Sequence, residues 1–209
     1  MCTGRRDYGG RLDATGDSTR QRACGVEVWE GGVERKAVND SKVVANQLGR
    51  TPRGAFTVSV RCSYGYPQVI RVHPVVAGKP FPTLYWLTCP FLTREIGHLE
   101  AAGWVNQLEV RMMEQPDLRS AMHEAHQHTC AQRDQLMSPE EKAALAADGT
   151  LVGLDGRGIG GISDWDRLKC LHLHAAHALA DENAIGDIVL QALPALECSQ
   201  QKVICSAYE

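Results

Sequence analysis

The chain has 209 residues, enough for one domain with a sizeable core. Its 44% hydrophobic and 22% charged residues suit a folded globular protein, and a formal charge of −3 lacks the basic excess of a general nucleic-acid binder. No apolar run of about eighteen residues is present to cross a bilayer. The opening "MCTGRRDYGGRLDATGDSTRQRACG" has no apolar stretch of the secretory kind, and a cytoplasmic location is expected.

Residues 1–38 are rich in Gly, Arg, Asp and Thr without an apolar period, the composition of a disordered tail. A first helix is expected in "NDSKVVANQLGR", where Asp40 or Ser41 can cap a turn bearing Val43, Val44 and Leu48, and Gly49 stops it. "GAFTVSVRC" and "PQVIRVHP" carry alternating β-branched residues and read as strands, joined as a hairpin through the turn residues "SYGYP". "TLYWLTC" is a third strand, ending at Cys89. Pro90 suits the first turn of a helix, where its missing N–H costs nothing.

From Pro90 to about Ala147 the pattern is helical, through "FLTREIGHLEAAG", "WVNQLEVRMMEQ", "DLRSAMHEAHQHTCAQRDQLM" and the Ser138-capped "SPEEKAALAADG". A glycine-rich loop, "GLDGRGIGGISD", leads to the helix "WDRLKCLHLHAAHALADE", with Ser163 or Asp164 as its cap. "AIGDIVLQALPAL" is the last helix. The sequence thus predicts a single α+β domain over 39–197, a small antiparallel sheet of about three strands followed by a mainly helical half. Residues 198–209 are expected as a C-terminal tail.

Eight cysteines are present without a CxxC pair, so a metal site would have to be assembled from distant segments. At about 100° per residue, Cys170, His174 and His177 share one stripe of their helix, and His172 is turned roughly to the opposite side. Cys62 and Cys89 each close a strand, and Cys89 precedes a helix N-terminus, whose dipole favours a thiolate. Cys62, Cys89, Cys170 and His174 together make a Cys3His set, a common tetrahedral zinc environment, although another transition metal also fits. Bound by all four, the ion would be structural. With one position vacated, a water could occupy it and support hydrolysis. A thiol enzyme is the alternative, with Cys89 as nucleophile and His174 or His126 as base. The plainest alternative makes the cysteines core residues beside hydrogen-bonded histidines.

Four other features have ordinary readings. His123, His126 and Cys130 share a stripe expected to be solvated. Gly156, Gly158 and Gly161 match G-x-G-x-x-G, but no strand precedes them, so a tight loop is expected and not a dinucleotide site. Arg50 and Arg53 are compatible with phosphate, although two loop arginines are more often simply hydrated. Tyr85 and Trp86 face opposite sides of a strand, so one belongs to the core and the other can line a pocket.

"QLGRTPRG", "RCSYGYPQVI", "PFPTLYWLTCP", the Ala125–His126 pair and "GIGGISDWDRLKCLHLHAAHALA" resemble the bacterial DUF501 family from about Ser41 to Leu190. That family is uncharacterised, so the resemblance implies no reaction. Its blocks centre on Cys62, Cys89, Cys170 and His174. The neighbourhood of some members implies a further alternative, a non-catalytic interaction protein of the division or envelope machinery. A small-molecule or protein partner fits these readings; a nucleic acid and a membrane span are not expected.

Overall fold

The computed structural model describes residues 39–209; the tail expected over 1–38 lies outside them. Helix α1 (Asp40–Leu48) is capped by Asn39, whose side chain accepts from the Lys42 N–H at 3.1 Å, one residue earlier than the sequence suggested. Gly49 ends it at φ 66°, a left-handed stop.

Strands β1 (Phe56–Arg61) and β2 (Pro67–Val72) form the expected hairpin. A two-residue ribbon, β3 (Val75–Val76) and β4 (Lys79–Pro80), follows and was not foreseen. It turns through Ala77 and Gly78 at φ 51° and 71°, both left-handed as such a tight hairpin requires. Strand β5 (Tyr85–Leu87) then pairs antiparallel with β2, so the sheet order is β1-β2-β5. As the middle strand, β2 is buried at every position except Arg71.

After Pro90 the regular elements are α2 (Pro90–Ala101), α3 (Trp104–Glu114), α4 (Pro116–Leu136), α5 (Pro139–Ala147), α6 (Leu171–Ala180) and α7 (Ala184–Gln191). The architecture is the expected α+β one, and no strand lies between Phe91 and Ala147. Ser138 and Glu141 form a full capping box at the start of α5. Helix α6 is central, packed on β5, α2 and α7, with Leu171, Ala175 and Ala176 fully buried. Gly186 of α7 has no room for a Cβ, which would overlap the His174 carbonyl, so this glycine lets the two helices close on each other.

Helix α6 starts later than expected. Asp164 accepts from the Asp166 N–H at 3.1 Å and so caps a turn instead of a helix. Leu168 N–H is taken by Glu109 at 2.8 Å, and Cys170 is extended at φ −165° and ψ 156°. Carboxylates from α3 and α2 thus satisfy the backbone of this segment, and the helix begins at Leu171.

The expected C-terminal tail packs against α1 and the hairpin. Tyr66 donates to Glu209 at 2.5 Å, Tyr64 to the Cys198 carbonyl at 3.0 Å, and Gln47 to Cys205 Sγ at 3.3 Å. Among the described residues no helix is long and apolar enough to cross a membrane.

Candidate metal centre

Glu100 lies in the last turn of α2, and Cys170 and His172 flank the start of α6. Donor atoms of these three side chains lie within 4.8 Å of one another, the single such group among the described residues. All three are half-buried. Donors around a tetrahedral zinc lie about 3.5 Å apart, so small side-chain rotations would bring the three to that spacing.

His172 is held at both ring nitrogens. Nδ1 lies 3.0 Å from Glu100 Oε1, and Nε2 lies 3.0 Å from the Thr93 carbonyl oxygen. A carboxylate and a carbonyl can only accept, so both nitrogens donate and the ring is an imidazolium. Its pKa is accordingly pushed up to about 9. The hydrogen bond with Cys170 is the largest cause; burial opposes it, and Thr93 and Glu100 reinforce it.

The set expected from sequence is not one donor group. Cys170 is in the cluster, but its partner is His172 and not His174. Cys170 precedes the helix, so helical angles do not apply to it. Cys62 sits in the hairpin turn and packs with Val43, Tyr66 and Cys205. Cys89 caps α2 but is only 6% exposed, among Leu92, Ile96 and Leu171. Burial pushes its thiol up to about 11, outweighing the Leu92 and Phe91 N–H groups, so the expected thiolate gives way to a core thiol. His174 is buried, and Asn183 donates to its Nδ1 at 3.3 Å. Burial, then the nearby His126, lowers its pKa to about 3, with Asn183 opposing.

The expected solvated stripe of α4 is instead partly core. His126 is fully buried, accepts from the Ile159 N–H at 3.0 Å and stacks on Trp165. Arg133, 2% exposed, donates to the carbonyls of Pro82 at 2.9 Å, Leu154 at 3.2 Å and Gly158 at 3.3 Å, and also to that of Arg157. The glycine-rich loop therefore turns several of its carbonyls to a cation, the opposite of a phosphate cradle. Its glycines are there for close approach: a Cβ at Gly158 would overlap the His126 ring, and one at Gly161 would overlap Pro82. No strand leads into it, as the sequence indicated.

Glu100 and His172 are the residues that sequence reasoning missed. Glu100 occurs in an ordinary amphipathic helix, and nothing in "REIGHLEAAG" marks it as a donor. Neither a curated protein nor a solved structure matches this chain. A family model described as "Protein of unknown function (DUF501)" matches residues 58–191, a span that holds Glu100, Cys170 and His172 and covers most of the chain. The chain belongs to the DUF501 family.

Proposed function

We propose that Glu100, Cys170 and His172 hold a metal ion, with zinc favoured by the mixed S, N and O donors. The observation that carries this reading is the convergence of three donors from two separate segments within 4.8 Å. The Thr93 carbonyl supports it: by keeping the proton on Nε2, it makes Nδ1 the nitrogen that gives up its proton and becomes a ligand. Three protein ligands leave a fourth position for water, the arrangement of a hydrolytic zinc and not of a closed structural one. A cytoplasmic setting accords with six free cysteines among the described residues.

Elemental analysis of protein purified without a metal-binding tag tests the proposal. One zinc per chain is expected, lost in Cys170→Ser and His172→Ala and retained in Cys62→Ser and His174→Gln. Metal-free protein, or zinc that survives both of the first two substitutions, would overturn it.

A second reading rests on the closeness of the Cys170 Sγ to the His172 ring, within 4.8 Å. Here Cys170, not Cys89, is a nucleophile beside a resident cation. Alkylation of Cys170 that is much faster in wild type than in His172→Gln, in protein free of metal, favours this reading.

A further inference from the structure

A cleft of about 790 Å³ opens between the loop after α1 and the β3–β4 ribbon. Such a volume suits a cofactor-sized molecule, for which pockets of about 300–1,000 Å³ are usual. Arg50, Arg53 and Lys79 line it, and no carboxylate does. Among the described residues the Arg53 and Lys79 side chains have no ion-pair or hydrogen-bond partner, and the Arg50 side chain has only the Trp86 ring. Three cations without a carboxylate partner among the described residues thus share one concavity in a chain whose formal charge is −3.

The wall of the cleft is aromatic and aliphatic. The Arg50 guanidinium lies over Trp86, 5.0 Å from the ring centroid. A cation–π contact of this kind holds the guanidinium at the ring and leaves its N–H donors available for an anion. Phe81 meets Trp86 with centroids 5.6 Å apart and planes at 49°, and with Val76 it offers an apolar corner for a ring.

We propose that this cleft binds a small molecule carrying a phosphate monoester on a flat ring system, of mononucleotide size. The cations take the phosphate, and the Phe81–Trp86 corner takes the ring. A polynucleotide is the less favoured ligand, because the basic residues form one pocket and not an extended track.

Tryptophan fluorescence of the full chain, titrated at low salt with the 5′-monophosphates of adenosine, guanosine, cytidine and uridine, tests this. At least one should bind saturably with a dissociation constant below about 1 mM. Its free nucleoside and inorganic phosphate should each bind at least tenfold more weakly. Arg53→Ala and Lys79→Ala should each weaken binding several-fold while leaving the melting temperature unchanged, since both side chains are exposed. The proposal is overturned if none of the four saturates, if inorganic phosphate binds as tightly as the best nucleotide, or if the Arg50→Ala/Arg53→Ala variant binds like wild type. Tighter binding of a single-stranded oligonucleotide than of any monophosphate would also overturn it, by assigning the cleft to nucleic acid.

Discussion

The Glu100 carboxylate accepts the backbone N–H of Leu171 at 2.6 Å. Helix α6 has no cap of its own, because Cys170 at its N-cap makes no side-chain hydrogen bond. A residue of α2 supplies that cap, and the same oxygen faces His172 Nδ1 at 3.0 Å. Helix initiation and donor placement therefore depend on one side chain.

Glu100→Ala should lower unfolding free energy by about 1–3 kcal/mol, since it leaves a half-buried N–H and an imidazolium without their acceptor. Glu100→Gln keeps a neutral acceptor for Leu171 and should lose less, while still weakening metal binding. Urea unfolding of the metal-free protein separates the two; equal stability of wild type and Glu100→Ala would show that the cap contributes nothing.

His172 makes metal-free stability fall on the alkaline side. Its folded pKa, about 9, lies above the ordinary 6.5, so its contribution is complete below pH 6.5 and is lost as pH rises through about 9. The amount is no more than about 3 kcal/mol, because burial and solvent exposure both limit it. A stability profile of His172→Gln should lack this decline. The same proton competes with metal, and the Cys170 thiol gives up a second, so zinc affinity should weaken by at least about tenfold for each pH unit below 9.

His126, His174 and His177 act on the acid side. Burial is the largest cause in each, lowering them to about 4, 3 and 3. A depressed base stabilises the fold above its ordinary pKa, and that stabilisation is lost as pH falls from 6.5 toward these values. Circular dichroism should show cooperative acid unfolding. His126→Asn can still accept from Ile159, and it should flatten the pH dependence by about 1.4 kcal/mol per pH unit, one proton's worth.

Arg133→Met should cost about 3 kcal/mol or more, because several buried carbonyls lose their donor together. Arg133→Lys should rescue little, since one ammonium cannot replace a planar fork. Thermal melts of both variants decide this, and a Lys variant as stable as wild type would contradict it.

Strands and helices were legible because β-branched alternation gives way to helical periodicity at Pro90, and local chemistry such as the Ser138 box agrees with the final fold. The start of α6 was not legible. Asp164 is a plausible cap by type, and only the approach of Glu109 and Glu100 from other helices shows that residues 165–170 stay outside the helix. Helical angles counted from Cys170 therefore point to His174, whereas its neighbour in the fold is His172. At Cys89 burial, invisible in one dimension, outweighs the helix end that favours a thiolate. His126 was taken for a surface residue because the loop that covers it is about thirty residues downstream.

The socket around Arg133 also sets an order of assembly. Its carbonyl acceptors come from Pro82 and from the segment Leu154–Gly158, far apart in sequence, and α4 itself offers it only the Cys130 Sγ at 3.3 Å. Until both segments arrive, the guanidinium has to stay hydrated, for a bare cation does not enter an apolar interior. The last turn of α4 therefore dehydrates only as those two segments close over it. In native-state hydrogen exchange the Gly158 and Ile159 amides, bonded to Ile162 and His126, should open together and at lower free energy than those of β2.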